Sequence, residues 1–195
     1  MTPSKKVTNL AIFASGSGSN AQRIVEYFKE NLDINIQLIL TNNPEAGVLE
    51  RAENLGIPSH VFKREDFYQS ENILNLLKAQ KIDWVILAGF LWLVPSNLLE
   101  TYPQKVINLH PALLPKFGGK GMYGMNVHRA VIEAKEQETG ITIHYANEKF
   151  DEGKIIFQAK CQVEGNDTPE TVAEKIHGLE YQHFPKVIAE LLENQ

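Results

Sequence analysis

The sequence predicts an α/β protein with a doubly wound, mostly parallel sheet, a mixed C-terminal edge and a long C-terminal helix. Two observations carry this reading. From Val7 to Leu109, short runs rich in β-branched residues alternate with longer amphipathic stretches, the pattern of repeated βαβ units. Beyond that point two apolar runs, Ile141–Tyr145 and Ile155–Ala159, flank a turn and suit an antiparallel pair, and Thr168 onward reads as helix. The 195 residues are 43% hydrophobic, enough to bury one core without covalent staples.

The elements follow in order. Val7–Phe13 reads as a buried strand that runs into the glycine loop Ser15-Gly16-Ser17-Gly18-Ser19-Asn20. Ala21–Lys29 has Ile24, Val25 and Phe28 at helical spacing, and Ile36–Leu40 is a second strand. Val48–Leu55 is a short helix stopped by Gly56 and Pro58, and Ser59–Phe62 is an edge-like strand. Asp66–Ala79 reads as one helix with Ile73, Leu76 and Leu77 inward. Trp84–Gly89 is apolar throughout, as a parallel strand covered on both faces should be. A short helix at Ser96–Thr101 precedes a fifth strand, Lys105–Leu109, which ends at His110-Pro111. The stretch 116–126 holds Gly118, Gly119, Gly121 and Gly124 without periodicity and reads as loop, with a helix after it at Val127–Lys135. Thr168-Pro169 supplies a cap and a first-turn proline for the last helix, which Pro185 should kink or interrupt. This is a Rossmann-like arrangement in which residues 1–195 form a single domain, with no repeat, low-complexity tract or linker.

Charge and composition exclude several classes. A net charge of −5 with a pI near 5.7 argues against a nucleic-acid partner, which demands a basic face. An anionic small molecule remains compatible, because helix ends bind phosphate whatever the global charge. The single cysteine, Cys161, allows no internal disulfide and reads as a small buried residue on a strand. No apolar run approaches a membrane span, and Met1–Lys6 has no cleavable signal pattern, so the expected compartment is the cytoplasm.

In an open α/β sheet, ligands bind at the carboxyl ends of the strands, and three polar clusters fall there. The first is Ser15–Asn20, where Gly18, Ser19 and Asn20 sit between a strand and a helix N-terminus suited to phosphate. The loop also fits the dinucleotide fingerprint, but the next strand ends Leu40-Thr41-Asn42-Asn43, without the acid that holds a ribose. The second cluster is Asn108-Leu109-His110-Pro111. Alternation puts Asn108 and His110 on one side of the strand, a neutral donor beside a proton carrier that titrates near neutrality. The third is Phe150-Asp151-Glu152-Gly153, where Asp151 is either a turn residue or, if the loop folds back, a partner for His110. None of the six histidines forms the i, i+4 pair of a helical metal site, and no metal is expected. His110, His128 and His144 are the alternative ligand set, although His144 reads rather as an inward polar residue close to the other two.

Together these clusters resemble the phosphoribosylglycinamide formyltransferases of purine synthesis, from Ile12 to about Leu191. The matching stretches are Ser15–Asn20, Leu87-Ala88-Gly89-Phe90, Ile107–Pro115, and Gly140–His144 with Asp151-Glu152-Gly153. The resemblance implies 10-formyltetrahydrofolate as co-substrate, and Asn108, His110 and Asp151 as the catalytic trio with His144 in support. It implies that Gly18, Ser19, Asn20 and Glu180 bind the ribonucleotide, while Leu91, Trp92, Leu93 and Val94, with Asn108, face the folate. The phosphate-binding half would then lie near residues 1–105 and the folate and catalytic half near 106–195, in a monomer or homodimer. Two departures stand out: Trp92 replaces an arginine of many relatives, and the 116–127 segment is longer and richer in glycine. No residue is assigned to the folate tail, since Arg64 lies out of register. The alternatives are a formyltetrahydrofolate hydrolase, using a similar trio with water as acceptor, and an NAD(P)-binding oxidoreductase.

Overall fold

A computed structural model describes residues 6–193. Most of the segment in which no signal pattern is read, residues 1–5, lies outside the described residues. Seven strands form one sheet in the order β3-β2-β1-β4-β5-β6-β7, parallel in its N-terminal part and antiparallel at the C-terminal edge. The chain divides into two compact units between Val106 and Ile107.

In the first unit, β1 (Thr8–Phe13) pairs in parallel with β2 (Ile34–Thr41) and with β4 (Trp84–Leu87), and β2 pairs with β3 (Ser59–Val61). Leu10, Ala11, Ile12 and Phe13 are wholly buried and all four residues of β4 are buried, as their unbroken apolar runs require. All three residues of β3 are exposed, which fits an edge strand. Helix α1 (Ser19–Phe28) buries Ala21, Ile24, Val25 and Phe28 on one stripe, and α2 (Val48–Leu55) buries Val48 and Ala52. Gly56 stops α2 in the left-handed conformation, φ 69°, that glycine adopts without strain.

One expected helix is two. Asp66–Ala79 divides into α3 (Arg64–Tyr68) and α4 (Asn72–Ala79), although no glycine or proline lies between them. Short polar side chains make the break: the Asn72 amide donates to Asp66 Oδ1 at 2.8 Å, and the Asn72 backbone N–H donates to Ser70 Oγ at 3.3 Å. These bonds offer the backbone an alternative to the helical ladder. The inward face of α4 is Ile73, Leu74 and Leu77 rather than Ile73, Leu76 and Leu77. Helix α5 (Ser96–Thr101) lies where the sequence puts it.

The second unit takes β5 (Val106–His110) from Ile107 onward, and there it pairs antiparallel with β6 (Glu138–Tyr145), which pairs with β7 (Ile155–Gln162). The register sets Asn108 opposite His144 and His110 opposite Thr142. Both β6 and β7 are longer than the apolar runs that predict them, because polar residues continue the ladder once two strands are paired. Cys161 on β7 is only half-buried, since this edge strand has one open face. Helix α6 (Met125–Glu133) begins two residues before the apolar pattern, and α7 (Pro169–Glu193) starts with Pro169 after Thr168. The expected interruption at Pro185 does not occur: α7 runs unbroken, with Phe184, Pro185, Val187 and Ile188 all buried. Packing of that stripe outweighs the one ladder bond that proline removes.

Candidate functional site

The N-terminal end of β5 is anchored by apolar neighbours, and its C-terminal end carries chemistry. Ile107 and Leu109 are buried on one face of the strand, while Asn108 and His110 share the other face with the buried Val106. His110 is 3% exposed, and its ring nitrogens face two acceptors. Nε2 donates to the Phe117 carbonyl at 2.8 Å, and Nδ1 stands 3.4 Å from Asp151 Oδ1. Two acceptors favour the imidazolium, but burial acts against it. Burial is the larger effect and holds the pKa below the ordinary histidine value, while Asp151 and the Phe117 carbonyl push it back up.

Asp151 reaches His110 because the turn between β6 and β7 folds back sharply. The residue has φ 58°, in the left-handed region that aspartate tolerates better than most side chains. Two residues on, a Cβ at Gly153 would run into the Tyr145 carbonyl, so only glycine fits that crossing. The Gly119 N–H donates to Asp151 Oδ2 at 2.9 Å. Burial acts to raise the Asp151 pKa, yet the His144 ring, the His110 ring and the Gly119 N–H together hold it below the ordinary carboxylate value. The carboxylate therefore stays ionised although little of it meets solvent.

His144, 2% exposed, completes the cluster from β6. Its Nδ1 lies 2.9 Å from the Tyr145 carbonyl, which can only accept, so Nδ1 carries the proton. Its Nε2 faces the Asn108 Nδ2 amide at 3.0 Å, the shorter of its contacts, and Asp151 Oδ1 at 3.6 Å. The Asn108 amide also points at Asp151 Oδ1, at a longer 3.4 Å. Both Asn108 donors are thus directed into the cluster.

The turn that follows His110 is fastened by one hydroxyl. Thr142 Oγ1 donates to the Ala112 carbonyl at 2.6 Å and accepts the Leu114 N–H at 3.0 Å and the Gln158 amide at 2.9 Å. Gln158 also donates to the Leu114 carbonyl at 3.1 Å. Thr142, Gln158, Phe117 and Gly119 were not singled out by sequence reasoning. Phe117 and Gly119 act through backbone atoms, which leave no side-chain signature, whereas Thr142 lies directly opposite His110 in the register.

His128 on α6 is 3% exposed, and its Nδ1 has no hydrogen-bond partner. Burial first, then the nearby His177 and His110, lower its pKa to about 4. Glu180, on α7, is 6% exposed. His177 is stacked on Tyr181 at 6.0 Å on the partly exposed part of that helix. Among the described residues, no group of three metal-ligating side chains is placed to hold a metal ion.

The remaining candidates belong to the first unit. Gly18 caps α1 at φ 75°, and a Cβ there would collide with Val48, so the loop is built on glycine for two reasons. Ser19 and Asn20 are the first residues of α1. Ser15 Oγ donates to Asn42 Oδ1 at 2.7 Å and accepts the Leu91 N–H at 3.0 Å, fastening the ends of β1, β2 and β4 to one another. Asn42, where a dinucleotide site needs an acid, is occupied in bracing the glycine loop. Of the Leu91–Val94 segment, Leu91 is exposed and Val94 buried, and the Leu93 carbonyl accepts the Tyr68 hydroxyl at 2.7 Å. Trp92 joins Phe62, Phe67, Tyr68 and Phe90 in an aromatic cluster, and the Arg64 guanidinium lies over Tyr68 at 4.8 Å and Trp92 at 5.6 Å.

The formyl transferase family profile matches residues 8–188. A phosphoribosylglycinamide formyltransferase of Bacillus subtilis is 38% identical over 187 residues, covering 93% of each chain. The chloroplastic enzyme of that name from Arabidopsis thaliana is 39% identical over 95% of this chain, which spans 66% of that protein's length, and 61% of the length of the Vigna unguiculata counterpart. Among solved structures, phosphoribosylglycinamide formyltransferase from Bacillus halodurans superposes with a TM-score of 0.85 at 37% identity over 95% of both chains. Glycinamide ribonucleotide transformylase 1 from Geobacillus kaustophilus gives 0.86 at 37% identity, over 95% of this chain and 99% of that one.

Proposed function

Because this chain belongs to the formyl transferase family, we propose that it transfers the formyl group of 10-formyltetrahydrofolate to the primary amine of 5-phosphoribosylglycinamide in purine biosynthesis. The observation that carries the reading is the buried junction of His110 and Asp151 at the end of β5, in a chain 38% identical to a phosphoribosylglycinamide formyltransferase across 93% of both.

Such an amine has a pKa of about 8, so a usable neutral fraction exists at neutral pH without a strong base. Its attack on the formyl carbon forms a C–N bond and a tetrahedral oxyanion. His110, as imidazolium, exchanges its Phe117 carbonyl for that oxygen, and Asn108 exchanges the longer of its two contacts, the one to Asp151. The ionised Asp151 favours the imidazolium through both steps. The intermediate collapses with loss of the folate nitrogen. That nitrogen takes a proton relayed by His110 as the new amide gives one up, so protons balance and no covalent enzyme intermediate is needed.

Gly18, Ser19 and Asn20 hold the ribonucleotide phosphate, and Glu180 meets the glycinamide end. Leu91, Trp92, Leu93 and Val94 face the folate, and His144 keeps Asn108 in place. The phosphate-binding half lies near 1–105 and the folate and catalytic half near 106–195. The net charge of −5 supports two small molecules rather than a nucleic acid as partners, for a monomer or homodimer in the cytoplasm. A steady-state assay with the ribonucleotide and 10-formyltetrahydrofolate tests the activity. Deformylated folate should appear only when the amine is present; equal release without it would mean a hydrolase.

A further inference from the structure

The glycine loop Gly16-Ser17-Gly18 is held from one side by a single helix. The Val48 N–H, at the start of α2, donates to the Gly16 carbonyl at 3.1 Å. One turn further along the same helix, Arg51 Nε–H donates to the Ser17 carbonyl at 2.8 Å. The Val48 side chain packs where a Cβ on Gly18 would stand, and Gly47 approaches so closely that its own Cβ would lie 3.3 Å from Ser17 Cα. The same guanidinium donates from a second nitrogen to the Gln22 side chain on α1. Two successive carbonyls are therefore turned towards α2. In a trans peptide the N–H points opposite to the carbonyl, so the Ser17 and Gly18 N–H groups are turned away from α2 together. Successive N–H groups on one side make a concavity that suits an anion.

We infer that Arg51 is a positioning residue for the ribonucleotide phosphate, acting through the Ser17 carbonyl to aim the loop's amides without touching the ligand. The inference rests on the proposed ribonucleotide reading of that loop. Its charge is not the main contribution: a planar donor fixed on one carbonyl and on Gln22 sets the peptide plane, and a flexible ammonium does this less well. Arg51 also lines a cavity of about 320 Å³ with Glu50 and Asn54, so smaller side chains fit there without overpacking.

The test compares wild type with Arg51→Gln in steady state, varying each substrate separately, and measures binding of ribose 5-phosphate as a probe. Losing a charged hydrogen bond that orders the loop predicts about a 10-fold rise in ribonucleotide KM and an equal weakening of the probe. The folate KM and kcat should stay within about twofold, because uniform binding of one substrate is what is lost. A merely structural role would lower the melting temperature without splitting the two KM values. Should Arg51→Gln fail to fold, Arg51→Lys carries the same test, with a rise of about 3-fold expected from the loss of planarity. A wild type that turns over no ribonucleotide sinks the proposed activity. An active wild type whose folded Arg51 variants keep its ribonucleotide KM sinks only the assignment of Arg51.

Discussion

His110 Nδ1 stands 3.4 Å from Asp151 Oδ1, with both side chains almost wholly buried, and the two groups pull each other's titration in opposite directions. The carboxylate raises the histidine pKa against burial, and the histidine ring helps hold the carboxyl ionised. A neutral partner would end that exchange.

Asp151→Asn tests it through pH. With His110 held below its ordinary value and an amine near pKa 8, kcat/KM should be bell-shaped, its acidic limb lying below pH 6.5. Removing the carboxylate removes a contribution that raises the His110 pKa, so the acidic limb should move to lower pH. The plateau should fall by roughly 10²–10³, as for loss of one oxyanion-stabilising group. A limb that stays in place in the variant would mean that another group titrates there.

His128 governs acid stability. Its folded pKa of about 4 lies below the ordinary 6.5, so the unfolded chain binds the extra proton between those values. Stability should be fully present above pH 6.5 and decline as pH falls towards 4, by on the order of 3 kcal/mol in all. Urea melts of wild type and His128→Gln across that range should show the slope in the first and its loss in the second. Parallel slopes would contradict the account.

Gly153→Ala places a methyl group against the Tyr145 carbonyl, with His144 Nδ1 only 3.3 Å away. Relief requires the turn to move, so about 1–3 kcal/mol of stability should be lost and turnover should fall as Asp151 is displaced. Denaturant midpoints and kcat measured on the same preparation check both. Wild-type values in the variant would show that the turn yields freely.

The sequence carried some of this site openly and other parts not at all. Asn108 and His110 were legible because a strand's period of two puts them on one face, with the apolar Ile107 and Leu109 on the other. Asp151 was legible only as one of two alternatives, because its approach to His110 depends on a left-handed backbone conformation that an aspartate in a turn adopts without announcing it. Phe117 and Gly119 contribute only a carbonyl and an N–H, which every residue possesses. The same logic explains the fold. The parallel strands followed from their apolar runs. The break between α3 and α4 is made by Asp66, Ser70 and Asn72, whose side chains compete with the helix only once placed, and Pro185 sits in a helix whose packing outweighs its missing donor.

The most direct measurement is a single-turnover experiment on His110→Ala saturated with the ribonucleotide and 10-formyltetrahydrofolate. Saturation separates the chemical step from binding. If His110 stabilises the oxyanion and relays the proton, the rate should fall by roughly 10²–10³, equivalent to about 2.7–4 kcal/mol, while both substrates still bind. Formyl transfer at a rate near wild type in that complex would contradict the assignment of the site.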